Sequence, residues 1–373
     1  MQVRTLWLTD FRSYASARVD LAPGLTVLVG ANGEGKTNLL EALAWLATLS
    51  SFRGAPTEAL VRRGAPFAVV RAEVERDGRE LLIEAQIQPG GRNRVLVNRQ
   101  PLRRPRDLLG SLRVTVFTPD DLAVVKEGPG ERRRFLDEAL VSLHPRNDAL
   151  RAEVDKVIRQ RNALLKGAGG RLDESAAFTL DVWDAKLAEA GAALTAARLD
   201  LLARMGPVLG STYDALARRP ARVAARYASA WAGPDALAAA DAGTLREALA
   251  GALAEARAED VRRGVTTVGP HRDDVVLTVG DGPARTEASQ GEQRTLALSL
   301  RLAVHEVVRA AVSSPPVLLL DDVFSELDPE RSAALLAHLP EGQALLTTAS
   351  GLPPAATPDR VLRLVGGRIE SAG

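Results

Sequence analysis

Cysteine is absent from the 373 residues. That excludes a disulfide framework, a thiolate zinc or iron–sulfur site and a catalytic thiol. Histidine is scarce, with four residues in all (His144, His271, His305 and His338), and no two stand four apart, so a zinc site is not expected either. Aromatic residues make up 4% of the chain, too few to suggest a surface that stacks on bases. No run of 18 apolar residues occurs, and the long uncharged stretch 342–358 is broken by Pro, Gly, Ser and Thr. The opening MQVRTLWLTDFRSY carries charges inside its apolar stretch and has no signal-peptide core. The expectation is a cytoplasmic protein with no membrane partner.

A surplus of either charge is missing too: 48 basic residues face 47 acidic ones, for a net charge of +1. Bulk charge therefore does not demand a nucleic-acid partner. Only five of the basic residues are lysine, which an arginine-biased composition explains. The local distribution says more. Residues 85–106 hold six arginines and no acid. Within them Arg92, Arg94, Arg99, Arg103 and Arg104 are candidates for sequence-independent contacts to a DNA backbone; the alternative is an ordinary solvated face. What remains is the composition of a soluble globular protein, 25% charged and 46% hydrophobic, long enough for two or three domains.

Both ends of the chain read as α/β. Strands are expected at 3–8, 25–29, 68–74, 81–87, 94–97 and 112–117, with a helix over 38–49. From about residue 132 the period becomes helical, over 132–143, 146–165 and 176–209, broken at Gly167-Ala-Gly-Gly170. A strand at 221–227 and a helix over 243–259 follow. Strands return at 274–279, 316–320, 344–348 and 361–364, separated by helices over 292–312 and 329–338. This predicts one α/β domain from residues 1–120 and 263–373, interrupted by a helical insertion, 121–262.

Residues Gly30-Ala-Asn-Gly-Glu-Gly-Lys-Thr37 fit the P-loop pattern G-x-x-x-x-G-K-[ST], after an apolar strand and before a helix. Gly30, Asn32, Gly33, Gly35, Lys36, Thr37 and Asn38 are thus expected to hold ATP. Backbone N–H groups and the helix dipole attract the phosphates, Lys36 reaches the β- and γ-phosphates, and the Thr37 hydroxyl joins a Mg²⁺ ion. Val317-Leu-Leu-Leu-Asp-Asp322 supplies the partner strand. Asp321 at its end is the expected metal ligand, and Asp322 the group that orients the attacking water. Between these motifs, Ser289-Gln290-Gly291-Glu292 opens a helix. Ser289 is either that helix's cap or a second reader of phosphate. One active site does not need two such readers; a dimer in which each subunit completes the other's site does.

Ser289-Gln-Gly-Glu-Gln293 resembles the signature of ABC-type ATPases, and Ser325-Glu-Leu-Asp328 their D-loop. Leu8-Thr-Asp-Phe-Arg-Ser-Tyr14, Arg132-Arg-Arg-Phe-Leu-Asp137, Gly269-Pro-His-Arg-Asp-Asp274 and Leu319–Asp328 together resemble the RecF family of bacterial recombination mediators. These stretches span nearly the whole chain. The resemblance implies an SMC-like P-loop ABC-type ATPase head built from both chain termini, with a helical arm domain inserted. It implies ATP-dependent dimerisation on DNA and slow, DNA-stimulated hydrolysis with ATP and Mg²⁺. It also implies cooperation with RecR and RecO in loading recombinase at single-strand gaps. By the same likeness Arg12 and Ser13 lie near the nucleotide, Asp328 serves the D-loop, and Thr348 stands where other ABC proteins carry the switch histidine. The Q-loop glutamine is missing from Phe117–Asp121, and Asp322 replaces a glutamate. The alternative is the ATP-binding subunit of an ABC transporter; the 285 residues between Lys36 and Asp321 count against it.

Overall fold

The computed structural model describes every residue except Arg218, Ser313, Glu326, Pro354 and Gly373, and only the backbone of Ser371 and Ala372. Glu326 of the expected D-loop therefore lies outside the described residues. In chain order the strands are β1 (Gln2–Phe11), β2 (Tyr14–Asp20), β3 (Leu25–Val29), β4 (Ala68–Arg76), β5 (Arg79–Ile87), β6 (Arg94–Val97), β7 (Gln100–Pro101) and β8 (Val114–Phe117). They continue as β9 (Val223–Ala228), β10 (Asp274–Val279), β11 (Gly282–Pro283), β12 (Val317–Leu320), β13 (Ala344–Thr348), β14 (Arg360–Val365) and β15 (Arg368–Ala372).

The chain divides into two compact units. The first holds residues 1–122, 212–220 and 294–373; the second holds 123–211 and 221–293. The first unit is thus built from both ends of the chain. The expected return to it at residue 263 is corrected to 294. Residues 274–279 do form a strand, but it pairs antiparallel with β9 of the second unit, so the stretch belongs there. The insertion is accordingly not all helical.

Two sheets make up the first unit. One is antiparallel, in the order β2-β1-β4-β5-β6-β7. The other runs β15-β14-β3-β13-β12-β8, parallel throughout except for β15. In β12 all four residues are buried, because alternate side chains serve different cores. Val317 and Leu319 pack with the P-loop helix (Lys36–Thr48) and the antiparallel sheet. Leu318 and Leu320 face Leu298, Leu302 and Leu335 of the helices Gln290–Ala311 and Pro329–Ala337. The P-loop helix buries residues around most of its circumference, which is why its sequence shows little amphipathic contrast. Gln343 fastens the two sheets. Its amide accepts from the Val3 N–H and donates to the Val3 and Ala22 carbonyls, all at 2.7 Å.

The second unit combines the three-stranded sheet β11-β10-β9 with helices that include Pro129–Leu143, Asp148–Gly167, Ala242–Arg263 and the start of the 43-residue Glu174–Leu216. Charged side chains are built into its core. Arg161, fully buried, bonds Asp184, Asp260 and Thr266. Arg198 holds Asp137 through two bonds of 2.9 and 3.0 Å and also donates to the Pro270 carbonyl. Asp273 accepts from the Tyr227 hydroxyl at 2.8 Å and the Trp231 indole at 3.1 Å. Its other oxygen is buried with no hydrogen-bond partner among the described residues, and burial pushes its carboxyl up to about 6.

That shift has a stability consequence. A carboxyl whose folded pKa is raised is protonated in the native state while already ionised in the unfolded chain, so its contribution falls as pH climbs from about 4 to 6. Buried His271, pushed down to about 4, works in the opposite sense over the same window, losing stability as pH falls. Replacing Asp273 with Asn removes the opposing contribution. The unfolding free energy of the variant, from urea titrations, should rise with pH more steeply than the parent's between about pH 4 and 6, by roughly 1.4 kcal/mol per unit.

Candidate functional site

The site lies in the first unit, at the C-terminal ends of the adjacent parallel strands β3, β13 and β12. The loop after β3 turns through Gly33 and Gly35, whose φ angles of +89° and +96° favour glycine. Gly30 is required for a different reason: a Cβ there would sit 2.7 Å from the Leu364 carbonyl oxygen. Lys36 is buried, and its ammonium donates to the Gly30 and Ala31 carbonyls at 2.7 and 2.9 Å, which holds it over the loop. Asn32 is exposed on the outer curve.

Asp321 follows β12 directly. Its Oδ1 accepts two hydroxyl bonds, from Thr37 at 2.9 Å and from Thr347 at 2.8 Å. Burial raises its carboxyl above the ordinary value, and these two hydroxyls pull it back. The Thr347 oxygen in turn accepts the Asp322 N–H at 2.9 Å. Asp322 adopts a left-handed backbone, φ +48°, that few residues other than Asn, Asp and Gly tolerate. Its Oδ1 is buried with no hydrogen-bond partner among the described residues. A buried unpaired carboxylate oxygen is costly, and such costs are kept where a ligand or reaction uses them.

The donor set suits a magnesium nucleotide. A carboxylate and a hydroxyl, both oxygen ligands, converge at the mouth of an N–H-lined loop, as a hard cation bridging phosphates requires. Thr37 and Asp321 are the residues that would hold the ion.

Thr348 bonds within its own turn. Its hydroxyl donates to the Gly351 carbonyl at 3.1 Å and accepts the Ser350 N–H, capping the turn after β13. The residue that reaches the acids is its neighbour Thr347, because successive side chains of a strand face opposite sides. Asp328 caps the helix Pro329–Ala337, accepting the Arg331 N–H at 3.0 Å. Where the Q-loop glutamine was missing, Asp121 accepts two bonds from Arg301.

Around the P-loop helix the β1–β2 turn contributes more than the two residues expected. Ser13 accepts from Asn38 Nδ2 at 2.9 Å. Arg12 pairs bidentately with fully buried Glu41, each bond 2.7 Å. Tyr14 donates to the Gly35 carbonyl at 3.1 Å. Neither Glu41 nor Tyr14 carries a motif that reveals these partners.

The second unit carries Ser289, Gln290, Gly291 and Glu292. Ser289 and Glu292 form a capping box: the serine N–H and hydroxyl bond the glutamate at 2.8 and 2.7 Å, and the serine oxygen receives the Glu292 N–H at 3.4 Å. The cap reading of Ser289 is thus realised, and the serine remains exposed at the helix start.

Arg92, Arg94, Arg99, Arg103 and Arg104 are all exposed around the β6–β7 edge of the antiparallel sheet. Arg104 is tied to Asp107 by its backbone N–H and its guanidinium, and Arg92 donates to the Arg103 carbonyl. The acid that neutralises Arg104 stands one residue beyond the acid-free stretch.

The family model described as RecF/RecN/SMC N-terminal domain matches residues 2–348. Two relatives called DNA replication and repair protein RecF are each 47% identical to this chain. That of Streptomyces avermitilis aligns over 357 residues, 94% of either chain; that of Kineococcus radiotolerans aligns over 363, 94% of this chain and 93% of the relative. The chain belongs to the RecF family. Among solved structures, the recombination mediator protein RecF-ATPrS in the RecFOR pathway matches with a TM-score of 0.90 at 28% identity, covering 100% of this chain and 98% of that one. The corresponding RecF-ATP structure matches with the same score and identity and 97% of its own chain covered. An Smc head bound to the C-winged helix domain of ScpA shares the fold, with a TM-score of 0.57 at 17% identity, over 99% of this chain and 96% of that one. The fold is therefore that of a RecF/SMC ATPase head, and the transporter alternative gains no support from any of these matches. No helix among the described residues is long and apolar enough to cross a membrane.

Thr347→Val removes the hydroxyl that serves both acids while keeping the side chain's shape. It leaves the Asp322 N–H unpaired and Asp321 with one donor, so urea unfolding should show a loss of about 1–3 kcal/mol. Steady-state ATP hydrolysis should fall with it.

Proposed function

We propose that this chain is an ATP-switched DNA repair protein. It binds ATP and Mg²⁺ in the site just described and dimerises with two nucleotides between the P-loop of one subunit and the Ser289 signature of the other. It hydrolyses ATP slowly, faster on DNA, and acts in the cytoplasm with RecR and RecO to load recombinase at gaps. The observation that carries this reading is the junction of Thr37, Asp321 and Thr347, with the unpaired Asp322 oxygen beside it, in a member of the RecF family. The pathway named for its solved relatives, RecFOR, supports the choice of partners.

Bound Mg²⁺ would supply charge neutralisation on the phosphates. The chain's own residues do the rest. Lys36 is already held over the loop by two carbonyls, poised to exchange them for phosphate oxygens. Asp322, its backbone turned left-handed, has an oxygen ready to accept a proton of the attacking water. Its carboxylate stands one methylene, ~1.5 Å, further back than a glutamate's, a displacement of the size that costs roughly 10²-fold in rate. That favours a switch that stays closed over a fast motor. Ser289 stands at an exposed helix N-terminus whose dipole favours an anion, and reading a phosphate there would have its N–H and hydroxyl exchange the Glu292 carboxylate for phosphate oxygens.

Lys36→Met should abolish tight ATP binding and, with it, the ATP-dependent dimer, measured by light scattering; ADP should give no dimer in the parent. Asp322→Asn should bind ATP with parental affinity, hydrolyse it at least tenfold more slowly in single-turnover assays, and accumulate the dimer. Parental hydrolysis by this variant overturns the assignment of Asp322.

For DNA, the exposed arginines at the β6–β7 edge support backbone contacts. Binding should weaken steeply with salt and little with sequence. Replacing Arg92, Arg94 and Arg99 together with alanine should weaken binding to DNA of unrelated sequences about equally and flatten the salt dependence. Unchanged affinity would return the patch to a solvated face.

A further inference from the structure

The β1–β2 turn lies along the P-loop helix in a ladder of three rungs. Tyr14 bonds the Gly35 carbonyl, Ser13 bonds Asn38, and Arg12 pairs with Glu41. Positions 35, 38 and 41 are spaced three apart, which places them on one side of a helix. The turn itself is held down elsewhere by the Arg12 N–H, which donates to the Leu60 carbonyl at 2.8 Å. Arg12 takes a left-handed φ of +53° there, a conformation a non-glycine residue keeps only when its surroundings fix it.

The first rung touches the phosphate loop itself. Tyr14 is buried, and burial raises its phenol above the ordinary value, so the hydroxyl is a proton donor at every physiological pH. The Gly35 carbonyl it meets also accepts the Asn38 and Leu39 N–H groups that open the helix. A peptide unit is planar and trans, so its carbonyl and its N–H point in opposite directions. Holding the Gly35 carbonyl toward Tyr14 and the helix therefore aims the Lys36 N–H outward, among the unpaired donors at the helix N-terminus. The fit is close: a Cβ on Gly35 would lie 2.8 Å from the Tyr14 oxygen and 3.0 Å from that of Ser13. Packing against the turn, as well as φ, requires glycine at this position.

We propose that Tyr14 is a positioning residue for nucleotide binding, its hydroxyl setting the peptide plane of the phosphate loop so that the loop meets phosphates already formed. The proposal rests on the P-loop being the nucleotide site and adds a residue that would not itself touch the nucleotide. Pre-set donors spare the ligand the cost of ordering the loop.

Tyr14→Phe tests it. The substitution keeps the ring and its packing and removes one hydrogen bond, so the chain is expected to fold, with a small drop in thermal midpoint. Affinity for ATP and for ADP should each fall about fivefold, the worth of one such bond, because both nucleotides carry the phosphates the loop holds. Turnover at saturating ATP should stay within about twofold of the parent. A tyrosine with only a structural role would lower the thermal midpoint and leave both affinities unmoved, and affinities within twofold of the parent overturn the proposal. Lys36→Met, measured alongside, separates the two readings. If it loses ATP while Tyr14→Phe does not, only the role of Tyr14 fails; if neither loses ATP, the P-loop assignment fails as well.

Discussion

The Oδ1 atom of Asp321 joins the three strands on which the rest of the site depends. It accepts the hydroxyl of Thr37, at the start of the P-loop helix after β3, and the hydroxyl of Thr347 near the end of β13, while its own backbone continues β12. Burying a carboxylate costs less when its oxygens accept hydrogen bonds, and the two that Asp321 accepts hold the loop, the acid and the strand between them in one register. Thr347 passes that constraint on to Asp322 through the N–H bond to its hydroxyl.

The two sheets of the first unit divide the work. Strands β12 and β13 of the parallel sheet are buried on both faces, and with β3 they supply a floor whose C-terminal edges carry Thr37, Asp321 and Thr347. The antiparallel sheet holds the loop from the other side, through the turn that bonds Gly35, Asn38 and Glu41. The Arg12–Glu41 pair at the end of that ladder is an expensive arrangement, since breaking one partner of a buried ion pair costs about 3–5 kcal/mol. Such a pair specifies one docking of turn on helix far more sharply than apolar contact would.

How much of this the sequence discloses follows from the range of each interaction. The P-loop and the acids after β12 are contiguous motifs whose chemistry is local, and they stand where they were expected. Strands β12 and β13 were legible because burial on both faces leaves continuous apolar runs. Strand β2 was not: its Tyr14–Asp20 sequence mixes serine, arginine and aspartate with a few apolar positions, and it is a strand because β1 pairs with it. Thr347 and Thr348 are indistinguishable by type, and only the alternation of side chains along β13 decides which meets the acids. Tyr14, Glu41 and Gln343 find partners 21, 29 and 340 residues away, beyond any local pattern. The unit boundary at 294 was missed for the same reason: a strand's composition does not reveal its neighbour, and β10 pairs with β9.

The second unit shows what two of the family-marking stretches are for. Arg132 and Asp137 come from one, and Pro270, Asp273 and Asp274 from the other. Arg132 forks onto Asp274, and Arg133 donates to the Asp273 carbonyl, so the stretches bind each other directly. Arg198 then bridges them, holding the Asp137 carboxylate and the Pro270 carbonyl with one guanidinium. A core of this size could be filled with leucine at less electrostatic cost. Charged groups that must each find a particular partner exclude the alternative packings that leucine would allow, and planar guanidinium forks fix orientation as well as distance. The polar core thus sets how the helix Pro129–Leu143 meets β10 and the long helix. That unit also carries Ser289 on its exposed, capped helix start.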